Sequence, residues 1–159
     1  MSFDGLFIHH LMSEISPQLI GGRIDKVFQP ERDELLLSIR GFNQNFHFFI
    51  SVDASMPYFT FVSNKKENPQ EPPMFCMLLR KHLTNGRILS ISQLGFERVI
   101  IMEIESKNDF GELEVKRLII EIMGKHSNII LTRENAIIID SIKRITPEMS
   151  RIRSILPGL

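Results

Sequence analysis

The sequence predicts an α+β fold in which two β-sheets pack as a β-sandwich or pseudo-barrel with helices capping the ends, and three observations lead there. Apolar residues at Phe3, Phe7, Leu11 and Ile15, with Ile8 and Met12 beside them, form a wide stripe at helical spacing. Short runs rich in β-branched and aromatic residues then follow in two groups, one on each side of a polar, proline-containing stretch. The third observation is an internal repeat: Gly22-Arg23-Ile24, three residues, Phe28-Gln29 matches Gly86-Arg87-Ile88, three residues, Ser92-Gln93, at an offset of 64. A helix followed by four strands, twice, is the predicted architecture, with half-repeats at about 1–62 and 72–142 and a linker at 63–73.

The elements follow in order. Ser2 or Asp4 suits the cap of the first helix, Ser16-Pro17 can start a short second piece, and Gly21-Gly22 stops it. Strands are predicted at Arg23 to Phe28, Glu34 to Arg40, Asn45 to Val52 and Tyr58 to Val62. Asn68-Pro69 and Pro72-Pro73 mark the linker and the start of a second major helix, whose apolar face is assigned to Met74, Met77, Leu78 and Leu79 and whose end is Asn85-Gly86. Further strands are predicted at Arg87 to Ile91, Val99 to Glu105, Leu113 to Met123, Asn128 to Thr132 and Ala136 to Ile142. Within the repeat, Asp33 to Leu37 falls on Glu97 to Ile101 without a gap; Phe48-Phe49-Ile50 and Tyr58-Phe59-Thr60 fall on Leu118-Ile119-Ile120 and Asn128-Ile129-Ile130 at an offset of 70, the extra residues fitting a longer hairpin near Ser106 to Gly111.

With 159 residues, 43% hydrophobic and 24% charged, the chain suits one globular domain and excludes general disorder. The single cysteine, Cys76, lies in an apolar run, which fits a buried core thiol and a reducing cytoplasm. No basic leader or membrane-length apolar stretch is present, so a cytoplasmic protein with no membrane partner is expected. Net charge is zero, so any affinity for nucleic acid must come from charge distribution. Arg80, Lys81, Arg87 and Arg98 stand against Glu97 alone in one stretch, and Lys143, Arg144, Arg151 and Arg153 against Glu148 alone in another. The five histidines, His9, His10, His47, His82 and His126, lack metal-ligand spacing, and no phosphate-cradling glycine loop or catalytic triad is evident; no metal, no cofactor and no enzymatic activity are expected.

Five separated blocks carry a family resemblance: Met1 to Gly5, Gly21 to Ile24, Glu71 to His82, Glu121 to Asn128, and Leu156-Pro157-Gly158. Together they resemble the N-terminal domain of the NFACT family across nearly the whole chain, and the ending at Pro157-Gly158 suggests a fragment of a longer protein. The resemblance implies a fold similar to the N-terminal domain of formamidopyrimidine-DNA glycosylases. Those enzymes attack through an N-terminal Pro-Glu that this chain, beginning Met1-Ser2-Phe3-Asp4, lacks. It also implies an RNA-binding module of a bacterial ribosome quality control factor. The partners would be a large ribosomal subunit with peptidyl-tRNA and alanyl-tRNA, recruited for C-terminal alanine tailing of nascent chains. Older naming in the family implies an alternative, a surface adhesin that binds fibronectin or fibrinogen.

The family usually has an Asp-Arg pair used in tRNA handling, and Glu97-Arg98 resembles it at the matching positions. An acid beside an arginine just before a strand presents both groups at a sheet end; the guanidinium can grip a phosphate while the carboxylate accepts from a base edge or ribose hydroxyl. An ordinary surface ion pair, worth about 0 to 1 kcal/mol, accounts for the same dipeptide without function. By the repeat, its first-half counterpart is Asp33-Glu34, which repels a polyanion, so an RNA surface is expected on the second half. Candidate RNA-backbone contacts are Arg80, Lys81, His82 and Arg87 on and after the second helix, Lys125 and His126 in a turn where Gly124 and Asn128 suit tight chain reversal, and the late cluster Lys143, Arg144, Arg151 and Arg153.

Overall fold

The computed structural model describes residues 4–63, 68–95 and 97–143. Helix α1 (Gly5–Leu19) is capped by Asp4, whose carboxylate accepts from the Phe7 N–H at 2.8 Å. It runs unbroken through Pro17, where the sequence suggested a new piece. The proline removes one helical donor, but Pro17 and Ser13, the residue four back, are both exposed, so water can serve the freed carbonyl. Strands β1 (Arg23–Phe28), β2 (Glu34–Arg40), β3 (Asn45–Ser51) and β4 (Tyr58–Phe61) follow, then helix α2 (Met74–Leu83). The second group is β5 (Arg87–Gln93), β6 (Val99–Lys107), β7 (Leu113–Glu121), β8 (Asn128–Arg133) and β9 (Ile138–Ser141).

These strands form one antiparallel sheet, ordered β4-β3-β2-β1-β5-β6-β7-β8-β9, which corrects the expected sandwich of two sheets. The reason is a seam. Arg23 and Arg87 are paired across β1 and β5; the Ile24 N–H donates to the Gly86 carbonyl at 2.9 Å and the Ile88 N–H to the Gly22 carbonyl at 2.8 Å. Flanking them, Gly21 N–H donates to Ile88 and Asn85 N–H to Ile24. Each bond becomes its partner when 64 is added or subtracted, so a local pseudo-dyad passes between Arg23 and Arg87. Strand edges that stacking would leave open are here joined to each other.

The same symmetry governs the helix exits. Ile20 N–H returns to Ser16 and Thr84 N–H to Arg80, and the next residues, Gly21 at φ 87° and Asn85 at φ 68°, both turn the chain through the left-handed region. Irregularities in register at Asp25 in β1 and at Leu89 in β5 are likewise equivalent. One core unites both halves: Met12, Ile15 and Leu19 of α1 correspond to Cys76, Leu79 and Leu83 of α2 at that offset, and all lie in it. Helix α1 packs on β5 while α2 packs on β1, β6 and β9, so each helix covers the first strand of the other half. The apolar face assigned to α2 is therefore corrected. Phe75, Cys76, Leu79 and Leu83 are buried, whereas Met74 and Met77 are exposed.

The repeat also slips by one residue where the sequence alignment ran without a gap. Inward-facing Leu35, Leu37 and Ile39 of β2 correspond to Ile100, Met102 and Ile104 of β6, an offset of 65. Val52 N–H donates to the Asp33 carbonyl, and Ile122 N–H makes the equivalent bond to Arg98, each at 2.9 Å. Arg32-Asp33, and not Asp33-Glu34, is thus the counterpart of Glu97-Arg98. The added residue lies between Gln93 and Glu97, because the Gln29 amide reaches the Arg32 carbonyl and the Gln93 amide reaches that of Glu97.

Candidate functional site

The turn carrying Glu97 and Arg98 is fixed through its backbone. Gln93, at the end of β5, donates from its side-chain amide to the Glu97 carbonyl at 2.6 Å and to the Gly5 carbonyl at 2.9 Å, tying the turn to the start of α1. The Arg98 carbonyl is held by Ile122 just beyond β7. Both side chains are exposed and neither has an ion-pair partner among the described residues. A carboxylate and a guanidinium on a braced turn have little backbone entropy left to lose when a ligand arrives.

Pairing of Val99 with Glu121 brings the β7–β8 connection to the same end. Gly124–His126 forms a single 3₁₀ turn, with Gly124 at φ 58° and the Ser127 hydroxyl accepting from the Met123 N–H at 2.8 Å. Lys125 is exposed and His126 half-buried. Turn chemistry explains Gly124 but not Asn128, which is fully buried at the start of β8. Its amide donates to the Lys143 carbonyl at 3.1 Å and its carbonyl accepts from the Lys143 N–H at 3.0 Å, clamping the exit of β9 beside this turn. Glu97, Arg98, Lys125, His126 and Lys143 therefore share one end of the sheet. The Asp53 carboxyl is held below its ordinary range by hydrogen bonds from the Ser55 N–H and hydroxyl, with a smaller contribution from the Lys143 cation. Arg144, Arg151 and Arg153 lie outside the described residues.

The basic stripe expected on α2 is split. Arg80 donates from Nε to the Val27 carbonyl at 2.9 Å and lies 5.9 Å from the Phe28 ring centroid, so it braces α2 against β1. Lys81 and His82 turn toward the β6–β7 hairpin, where they line a cleft of about 230 Å³ with Lys107, Phe110, Lys116 and Arg133. Burial, then the cations Lys116, Lys81 and Arg133, push the His82 imidazole below its ordinary range. Lys116 is 3% exposed, and its ammonium meets Glu114 at 2.8 Å. That contact and a hydrogen bond from Asn108 pull the Glu114 carboxyl down to about 2. Arg87 stands apart, on the seam opposite Arg23. Sequence reading missed Lys107, Lys116, Arg133 and Arg23. A signal existed for Lys116, which alternates with inward-facing Leu118 and Ile120, a position where a lysine needs a partner. The two basic regions stand at opposite ends of β6, about 27 Å apart for a strand of this length.

The fold and site define a small α+β module with charged side chains presented at sheet ends, and no helix among the described residues is long and apolar enough to cross a membrane. Residues 4–159 match the family model for the NFACT N-terminal and middle domains, and the chain belongs to the NFACT family. It is 44% identical to the Rqc2 homolog RqcH of Bacillus subtilis over 160 residues, covering 99% of this chain and 28% of that protein. The archaeal Rqc2 homolog aRqcH of Methanocaldococcus jannaschii is 32% identical over 76% of this chain and 18% of its own length. Among solved structures, the N-terminal part of the fibronectin/fibrinogen-binding protein of Streptococcus suis is similar at a TM-score of 0.91 and 38% identity, covering 99% of this chain and 59% of that one. The N-terminal domain of a fibronectin-binding protein of Streptococcus pneumoniae gives a TM-score of 0.88 at 38% identity, over 91% of this chain and 55% of that one. The chain spans less than a third of the length of the curated relatives it matches.

Proposed function

We propose that this chain is an RNA-binding module of a ribosome quality control factor, one that binds stalled large ribosomal subunits carrying peptidyl-tRNA and recruits alanyl-tRNA for alanine tailing. The observation that carries the reading is the braced Glu97-Arg98 turn with Lys125, His126 and Lys143 at the same sheet end. Its family membership and its relatives' names as Rqc2 homologs support it. Peptide transfer itself would belong to the ribosome. Arg98 would grip a phosphate or stack on a base while Glu97 accepts from a base edge or ribose hydroxyl. The test is recovery of large subunits and tRNA by the full-length protein, comparing wild type with Arg98→Ala and Glu97→Ala. Loss of tRNA with retained subunits is expected; undiminished tRNA in both variants would remove the pair from the binding surface.

A second reading, binding of fibronectin or fibrinogen, is favoured by the names of the similar solved structures. Strand β4 is a terminal strand of the sheet, suited to adding an extended peptide through its backbone. Proline substitution at Phe61, whose N–H faces away from β3 because the next residue, Val62, donates to His47, would then weaken host-protein binding without touching tRNA recovery, and equal host-protein binding by the variant would count against this route.

A further inference from the structure

The seam brings cations of both halves together. Arg23 is paired with Arg40 on β2 and with Arg87 on β5, so three arginines stand side by side across adjacent strands on the outer face. Like charges directly opposite each other on a sheet are destabilising. Only one is neutralised among the described residues: Arg40 meets Asp25 at 2.6 Å, while Arg23 spends one donor on the Asn85 carbonyl at 3.0 Å and Arg87 has no ion-pair partner. Arg23, Arg87 and Lys107 line a cleft of about 570 Å³ in which Glu105 is the one acid. Lys107 also lines the neighbouring cleft, where Lys81, Lys116 and Arg133 outnumber Asp109 and Glu114 and Phe110 projects from the β6–β7 hairpin with 86% of its surface exposed. Asn108 orders that hairpin by accepting from the Phe110 and Glu112 N–H groups at 2.9 and 3.0 Å. A cationic track leading to an ordered, solvent-facing aromatic ring is the combination that holds single-stranded nucleic acid, the cations following the backbone and the ring stacking on a base.

We infer that the groove running from Arg23 and Arg87 past Lys107 to Phe110 binds the phosphodiester backbone of a single-stranded RNA segment, one of whose bases stacks on Phe110. The inference rests on the RNA-binding reading above but uses a different surface, at the far end of β6 from Glu97 and Arg98. Bound phosphates relieve the repulsion between Arg23 and Arg87, which Glu105, opposite Arg87 on β6, offsets only from one side.

The two halves of the groove respond differently to salt, which makes the test specific. With the whole chain and a fluorescent oligouridine, affinity is measured from 50 to 200 mM salt by anisotropy. The double variant Arg23→Gln/Arg87→Gln loses two phosphate contacts, so its log–log salt slope falls by about 1.4, and the wild type's drop in affinity over that range exceeds the variant's by about sevenfold. Arg23→Lys/Arg87→Lys keeps the charge and the slope, which separates lost contacts from lost folding. Phe110→Ala weakens binding by about fivefold or more with the slope unchanged, since stacking releases no counterions. An unchanged slope in the glutamine variant, no oligouridine binding by wild type, or a response to inorganic phosphate without RNA binding overturns the inference. If tRNA recovery still depends on Arg98 in that case, the proposed function stands without this groove; if oligouridine binding follows Arg23 and Arg87 while the Arg98 variant recovers tRNA normally, the groove stands and the role of the pair falls.

Discussion

Gly86→Ala should destabilise the protein more than the equivalent Gly22→Ala, and the difference can be worked from the seam. A Cβ at residue 86 would lie 2.6 Å from Ile104 Cγ2 and 2.8 Å from the Leu83 carbonyl oxygen. Ile104 is completely buried, and the Leu83 carbonyl ends α2 while accepting the Gly86 N–H at 2.8 Å, so neither can retreat without moving the helix end or the sheet. Overpacking of this kind costs about 1–3 kcal/mol, and loosening the Leu83 hydrogen bond adds about 1 kcal/mol. The stiffer unfolded chain returns about 0.4–1 kcal/mol. A net loss of about 2–3 kcal/mol follows, equivalent to a drop in Tm of roughly 5–10 °C at this chain length. At Gly22 the nearest atoms, Ile39 Cγ2 and the Leu19 carbonyl oxygen, are both 3.0 Å away, and a shift of a few tenths of an ångström accommodates the methyl group. Gly22→Ala should therefore cost about 1 kcal/mol or less. Thermal and urea unfolding of both variants decide the matter. A Gly86→Ala protein as stable as wild type, or a larger loss at Gly22, would refute the packing of the seam described above.

Other expectations follow from the same contacts. Gly21→Ala places a Cβ at φ 87° and should cost about 1–2 kcal/mol, whereas Asn85→Gly, at the equivalent left-handed position, should leave stability nearly unchanged in the same unfolding assays. Asn128→Ala leaves the Lys143 N–H and carbonyl without their side-chain partner and should cost about 2–3 kcal/mol; Asn128→Asp should do no better, because a carboxylate faces the Lys143 carbonyl where the amide donated. The Glu114 carboxyl is depressed from 4.5 to about 2, so its stabilisation is fully present above 4.5 and fades as pH falls toward 2; the stability gap between wild type and Glu114→Gln, followed by urea unfolding, should shrink across that window. The lowered His82 pKa acts in the same direction higher on the scale. Stability it contributes as a neutral group is lost as pH falls below 6.5, and His82→Gln should flatten that part of the profile.

The strand limits were legible because alternation and hairpin breaks are local: β1 and β2 begin and end where the sequence placed them. How the two groups join was not legible. The Gly22-Arg23-Ile24 and Gly86-Arg87-Ile88 motifs that reveal the repeat are themselves the seam, yet the bonds that close it run between backbone atoms and leave no side-chain pattern to read. A sandwich and a continuous sheet have the same inward alternation on every strand, so only the pairing of β1 with β5 separates them. The face of α2 was misread for a different reason. Met74 and Met77 are apolar but exposed, and adding 64 to Met12, Ile15 and Leu19 would have pointed to Cys76, Leu79 and Leu83.

The candidate site was half legible, and the half that failed changes what distinguishes the two ends of the molecule. With the register corrected, the first half carries Arg32-Asp33 where the second carries Glu97-Arg98, so each end has one acid and one arginine, in reversed order. Charge at that dipeptide alone cannot favour RNA on the second half. The contrast lies in the neighbouring connection: at an offset of 70, Ser55-Met56 stands where the second half has Lys125-His126, and the Ser55 hydrogen bonds hold the Asp53 carboxyl beside them below its ordinary value. Lys143 does not separate the two ends: the Asn128 clamp holds its backbone at the second, while its cation helps lower the Asp53 carboxyl of the first. Order matters as well as charge, because Arg98 and Asp33 occupy the same braced position after the turn and therefore present opposite charges there. A polyanion meets a cation at that position on one half and a carboxylate on the other, and the preference for the second half rests on this exchange together with Lys125.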